Sequence, residues 1–431
     1  MIWKIQNQLD ELESAGVISA DTAQGIDAYY KAKQNNSSNK LFTAFGILGA
    51  VLVGLGIILI LAHNWDNFSR TTKTIWAFTP LLIGQLFAGI TWFKKLGTAW
   101  RETAATFLFF AVGASLALVS QIYNIPGSTS SFLFSWIALT APIMYLLRSH
   151  AAAILHIIFA TYYASNLGYF EQIFIGSVTV VPWYYLAMLA WLIPFYYNLV
   201  RKDSKGLMQG VYHWLVPLSL TICTGTFITG VSEVGLLIHA GLFGLLYNIG
   251  KTPYFDNQLL RTNGYRIIGS IGTVIILLLY TFNAFWEFAA FGYTTVSDQL
   301  ISAAIYTGLL GLVFYNIGER KIEQTSPFQI ASLVFAGIFF MTYVAMDLAM
   351  VFGNILILAL GVYAIYQGNK QNLFSRLNYG FVIIAALIAC RFFDSDIDFV
   401  LRGLMFVGVG VGFFLANYFM YRKQQKINSY D

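Results

Sequence analysis

The sequence predicts an all-α polytopic membrane protein of about fourteen transmembrane helices, with the N-terminus and the C-terminus both cytoplasmic. Three observations predict it. Of 431 residues, 58% are apolar and only 10% charged, and the mean hydropathy is +0.65. A soluble domain carries about 25% charged residues, so this chain lacks the polar groups to cover a surface in water. Apolar runs of about 17–25 residues, the length that crosses a hydrocarbon core, recur along it. Lys and Arg fall in alternate connections between those runs, the pattern of a chain whose every second connection is cytoplasmic.

Residues 1–40 form the first element, a small cytoplasmic helical hairpin with a linker. The opening "MIWKIQNQLDELESAG" is polar and has no apolar core or cleavage site, so the first span is expected to do the targeting. Leu9 and Leu12 share a face of the first short helix, which Gly16 stops. Ser19 is the expected N-cap of the second, with Asp21 in its first turn, and Ile26, Tyr29 and Tyr30 return onto the leucines. "NNSSNK" then reads as a flexible linker. Such a hairpin is too small for a core of its own.

The transmembrane bundle occupies 41–421, and a basic cytoplasmic tail follows at 422–431. The expected spans are 41–63, 74–93, 102–122, 131–147, 151–168, 181–199, 207–229, 234–250, 265–286, 299–317, 328–346, 350–367, 376–391 and 400–421. With the N-terminus inside, the even-numbered connections hold Lys94, Lys95, Arg101, Arg148, Arg201, Lys202, Lys205, Lys251, Arg261, Arg266, Arg320, Lys321, Lys370 and Arg376. Together with both ends of the chain, this puts about 21 of the 25 basic residues on one side. A single miscounted span would scramble the alternation from that point on.

Four basic residues break the pattern. Arg70, Lys73, Arg391 and Arg402 fall on the outer side, in "NWDNFSRTTK" and "RFFDSDIDFVLR", and both stretches also carry aspartate. Either the aspartates simply neutralise arginines that must be translocated, or the two segments form one polar site at the outer face. At these residues the chain resembles a group of uncharacterised bacterial membrane proteins, domain of unknown function 2157. The stretches that carry the resemblance are "GILGAVLVGLGIILILAHNWDNFSRTTK", "SQIYNIPGSTSSFLFSWIAL" and "RLNYGFVIIAALIACRFFDSDIDFVLRGLMFVGVGVGFFLANYFMYRK". The "AGVIS" hairpin also fits the small segment that opens such proteins. The resemblance covers the first 150 residues and the last 60, and it implies a multi-pass protein of the bacterial inner membrane. It brings no catalytic or binding residue with it.

Each polar feature has a plain reading beside a functional one. Asp66 in "HNWDN" is either a capping residue beside an interfacial Trp or the carboxylate of a transferase acting on lipid-linked substrates. Gln121, Tyr123 and Asn124 either end a helix or offer neutral hydrogen bonds, and Gln121 needs a partner if it lies at lipid depth. Arg391 and Arg402 cannot cheaply face lipid, since that costs about 2.5–3.5 kcal/mol at mid-bilayer. Asp394, Asp396 and Asp398 are their expected partners, a clamp joining the last two spans. Two other arrangements stay open: an Arg left free for an anion, and a weak hard-cation site on the alternating aspartates. The five histidines are scattered, the two cysteines lie far apart, and no zinc, phosphate-loop or nucleophile motif occurs, so no cofactor or metal is expected. Glycines such as Gly269, Gly272, Gly408 and Gly412 read as helix-packing positions.

The functional expectation is a transporter or lipid-handling carrier whose outer-face site is lined by Asp66, Arg70, Gln121, Arg391, Asp394 and Arg402. Its ligand would be an anionic small molecule or lipid headgroup. An enzyme is the less favoured class, either a glycosyl- or a phosphotransferase using Asp66 or Asp394. A third class is a scaffold or sensor that recruits a cytosolic partner through residues 1–35. A net charge of +5 spread over membrane connections calls for no nucleic acid.

Overall fold

The computed structural model describes residues 9, 11–26, 45–49, 51–53, 55–56, 59, 67–170, 182–202, 206–228, 233–282, 296–319, 325–394, 400, 403–404, 407–408, 410–412, 414–415 and 418. Among them the chain is helical, with no strand. The N-terminal turn has the expected stop and start. Gly16 adopts φ +67, the left-handed conformation that ends a helix, and the Ser19 hydroxyl accepts from Thr22 N at 3.3 Å.

From Arg70 onward the longer helices are α1 Arg70–Phe93, α2 Thr98–Tyr123, α3 Thr129–Thr140, α4 His150–Ser165, α5 Trp183–Lys202 and α6 Leu207–Thr224. They continue as α7 Glu233–Ile249, α8 Gly264–Tyr280, α9 Val296–Glu319, α10 Pro327–Met341, α11 Met346–Lys370 and α12 Phe374–Asp394. The expected spans from 74–93 to 376–391 each overlap one of these helices, with ends shifted by several residues. Those at 41–63 and 400–421 fall largely outside the described residues. The span expected at 131–147 is interrupted: α3 stops at Thr140, and Pro142 opens a separate turn, Ile143–Leu146.

Among the described residues, seven stretches are long and apolar enough to cross a membrane. These are α1, α2, Thr129–Leu146, His150–Phe170, α9, α11 and Phe374–Arg391. Three further apolar helices, Val234–Ile249, Gly264–Tyr280 and Pro327–Met341, are shorter. The protein is thus a helical membrane protein with several crossing segments.

The chain divides into two compact units. Unit 1 is Met1–Asn166 with Tyr184–Asn198, and unit 2 is Leu167–Trp183 with Leu199–Asp431. In unit 1, α1 packs along α2, and α2 packs on α3 and α4. Its centre is aromatic: Phe109, Phe110, Trp136 and Phe159 meet at ring distances of 4.6–6.5 Å. The Trp136 indole donates to the Phe109 carbonyl at 2.8 Å, so this polar edge does not stay unpaired in an apolar core.

In unit 2, α7 packs on α8, α9 and α10, while α11 packs on α10 and α12. Phe243, Leu246, Leu277, Tyr280, Phe335, Phe339 and Leu360 fill the core between them. Gly269 and Gly272 on α8 let that helix approach α7 closely. A Cβ at Gly272 would lie 2.2 Å from the Phe243 ring. Without a hydrophobic drive between helices in lipid, such close approach supplies the packing.

Candidate functional site

One end of unit 2 gathers the C-termini of α7, α9 and α11 with the N-termini of α8, α10 and α12. A buried polar network fixes the arrangement. Asn248 Nδ2 donates to Gly244 O and Gln329 O, each at 2.9 Å, and Asn316 Nδ2 donates to Asn248 O at 3.0 Å. Gln329 accepts from Ser326 N at 2.9 Å, closing the capping box that opens α10. Tyr247 carries the network outward by donating its hydroxyl to Ser326 Oγ at 3.1 Å.

Above this layer lies a cavity of about 590 Å³. Four cations line it, Lys251, Arg266, Lys370 and Arg376, against one carboxylate, Asp256. The loop that delivers the first of them is stitched down by Asn263, which is buried. Its amide donates to Gly250 O at 2.8 Å and Phe255 O at 3.0 Å, while its carbonyl accepts from Arg266 N at 3.1 Å. That cap starts α8 and sets Arg266 in its first turn. Asp256 ends the single turn Pro253–Asp256, and its Oδ1 accepts from Lys251 Nζ and Arg266 Nη1, both at 3.1 Å.

The other two cations come from the α11–α12 turn, where Asn372 takes a left-handed φ of 52 to reverse the chain. Lys370 Nζ lies 6.0 Å from the Tyr366 ring centre, and Arg376 Nη1 donates to Gln371 Oε1. Neither forms a salt bridge among the described residues, although Arg376 feels the Asp256 charge at longer range. The walls are aromatic. Tyr247 stacks on Phe328 at 5.6 Å, Phe328 faces Tyr379 at 6.3 Å, and the Tyr379 and Ser270 hydroxyls pair at 2.9 Å.

Four positive charges against one negative favour an anion. The planar guanidinium groups suit phosphate or carboxylate. The cavity lining includes no His or Cys, and its one carboxylate is held by two cations. Among the described residues no three His, Cys, Asp or Glu side chains come together as a metal site.

The residues expected at the outer face divide between the units. In unit 1, Arg70 follows the Ser69 N-cap, and its guanidinium lies 4.8 Å over the Tyr123 ring. Thr74 Oγ1 and the Tyr123 hydroxyl pair at 3.2 Å on the same side. Gln121 is exposed one turn from the end of α2, which Asn124 stops with a φ of 49. In unit 2, Arg391 sits near the far end of α12, about 22 Å along the helix from Arg376. Its Nη2 donates to the Thr281 carbonyl and, at 3.0 Å, to the Thr281 hydroxyl, and the guanidinium lies 5.6 Å from the Phe282 ring. Thr281 caps the C-terminus of α8, whose last carbonyls have no partner within the helix and carry the negative end of its dipole. Asp66, Asp396, Asp398 and Arg402 lie outside the described residues, as does the Asp394 side chain. We expect Arg391→Ala to lower stability by about 1–3 kcal/mol, read as a lower thermal midpoint in mild detergent. An unchanged midpoint would exclude a structural part for this arginine.

Among the five histidines, His156 and His239 each bond a backbone carbonyl through one ring nitrogen, while His156 Nδ1 is buried with no hydrogen-bond partner among the described residues. His156 Nε2 pairs with Met188 O at 3.0 Å, and His239 Nδ1 with Gly235 O at 2.8 Å.

Helices of this length and hydropathy around a polar cavity define a multi-pass membrane protein. Residues 10–153, about a third of the chain, match the model of a family described as predicted membrane protein, domain of unknown function 2157. This bears out the resemblance in the N-terminal part. The matched segment ends before the cavity of unit 2 begins. No curated protein and no solved structure matches the chain.

Proposed function

We propose that the protein is a carrier or lipid-handling protein of the bacterial inner membrane that grips a phosphate or carboxylate in the cavity of unit 2. One observation carries the reading: four cations, two of them outside any salt bridge among the described residues, face a cavity walled by tyrosine and phenylalanine. Charge selects the anionic head of a ligand, and the aromatic walls accept an apolar body. In this reading the chain has fourteen spans with both termini in the cytoplasm. The gathering of alternate helix ends in unit 2 supports that alternation, and in this reading the cavity, with its basic residues, faces the cytoplasm. Arg391, at the outward end, then holds α12 to the end of α8.

The test is binding to the purified full-length protein, with phosphate and a series of carboxylates of growing apolar tail as probes. Ligands that bind the folded state raise its thermal midpoint with concentration. We expect phosphate or a carboxylate to do so, and Lys370→Gln and Arg376→Gln each to weaken the effect about tenfold. Proteoliposome flux of the same anion would then follow. No midpoint shift with any anion removes the recognition site, and binding without flux removes the carrier.

A further inference from the structure

We infer that unit 1 holds a separate site for the headgroup of an anionic phospholipid, in the cleft where α1 turns into α2 and Ile143–Leu146 turns into α4. The cleft has a volume of about 680 Å³, and Lys95, Arg101 and Arg148 line it together with Trp92, Phe93 and Leu146.

The three cations arrive from three different segments. Lys95 follows the end of α1 in a left-handed conformation, φ 49. Leu96 N bonds Thr91 O at 3.0 Å and Lys95 N bonds Trp92 O at 3.2 Å, the paired closure of a helix end at which glycine is usual. Arg148 repeats it. Its φ is also 49, with Ser149 N on Met144 O at 3.1 Å and Arg148 N on Tyr145 O at 3.3 Å. Each place accepts a long cation where glycine would be easier, and both residues line the same cleft. The Arg101 side chain, in the first turn of α2, donates to Thr98 Oγ1 at 3.2 Å. None of the three has a carboxylate partner among the described residues. The nearby Glu102 is committed elsewhere, to Ser149 Oγ and to the amides of His150 and Ala151 at 2.9 Å.

The apolar part of the cleft points to a lipid over a free phosphate. Trp92, Phe93 and Leu146 are 56%, 78% and 62% exposed. Exposed aromatics beside cations at a helix end mark headgroup level, and basic pockets between helices there bind anionic headgroups.

The experiment is native mass spectrometry of the full-length protein with phosphatidylglycerol or phosphatidylcholine of the same acyl chains, with and without inorganic phosphate. We expect about tenfold more phosphatidylglycerol retained than phosphatidylcholine. Lys95→Gln with Arg148→Gln should erase the difference, Arg376→Gln should preserve it, and excess phosphate should not displace the lipid. Both substituted side chains are exposed and make no bond among the described residues, so the variant should keep its thermal midpoint. If the pair unfolds, Lys95→Gln alone should give a partial loss. Equal retention of the two lipids, or a preference unchanged by the cleft variants, overturns the proposal. So does loss of the preference in Arg376→Gln, which would move the lipid to unit 2. Displacement by inorganic phosphate would make the ligand a soluble phosphate and also overturn it.

Discussion

Replacing Glu102 with alanine should lower stability by about 3–5 kcal/mol, a drop of roughly 10 °C or more in the midpoint of the detergent-solubilised protein. Glu102 is 4% exposed, and its carboxylate accepts from Ser149 Oγ, His150 N and Ala151 N. Those groups open α4. The next amide, Ala152 N, goes to Ser149 Oγ at 3.1 Å, and Ser149 N closes the preceding turn on Met144 O at 3.1 Å. Every donor at the start of α4 therefore has an acceptor, and two of the four depend on a side chain from α2. Alanine would strand those two amides and the hydroxyl in an apolar surrounding. Glu102→Gln keeps one carbonyl acceptor but turns an NH2 toward a donor, so its midpoint should fall between the two. A midpoint equal to wild type in the alanine variant would mean that water or another acceptor reaches the site.

Gly269→Ala should be comparably damaging although it adds a single methyl group. A Cβ there would lie 2.4 Å from Tyr247 N, 2.7 Å from Phe243 O and 2.8 Å from Tyr247 Cα. All three atoms are backbone, so no side chain can swing aside, and α7 and α8 must separate. Overpacking of this kind costs about 1–3 kcal/mol or more. Arg266 lies three residues earlier on α8, so the shift should also pull it from Asp256 and blunt the response to anions. Gly311→Ala on α9 is the control, because a Cβ there meets nothing within 4 Å. Alanine at 311 should leave the midpoint level or slightly higher, since it restricts the unfolded chain. Equal effects at the two positions would refute the close-approach argument.

Helix positions were legible because apolar run length and turn chemistry are local properties. Ser19, Gly16 and the ends of α1, α2 and α4 follow from them, and so does the packing use of Gly269 and Gly272. The cavity was not legible as a site. Lys251, Arg266, Lys370 and Arg376 were read as topology, since basic residues on cytoplasmic connections need no further reason. Only the fold shows that they converge on one cavity. Glu102 passed unnoticed for a similar reason, because a polar residue where a span begins looks like an ordinary boundary. The sequence invited carboxylates as partners for Arg391, being three residues away and oppositely charged. Those aspartate side chains lie outside the described residues, within which the structure adds the end of α8, a backbone acceptor that no sequence motif announces.

The bond from Arg391 to Thr281 joins positions 110 residues apart. At about 5–20 residues per second, a ribosome needs roughly 5–20 s to deliver the second after the first. Throughout that interval the final carbonyls of α8 wait for their cation, in water or among headgroups. Unit 2 is therefore sealed at this end only once α12 has been made. A chain halted before residue 391 carries an open helix end that the folded one closes.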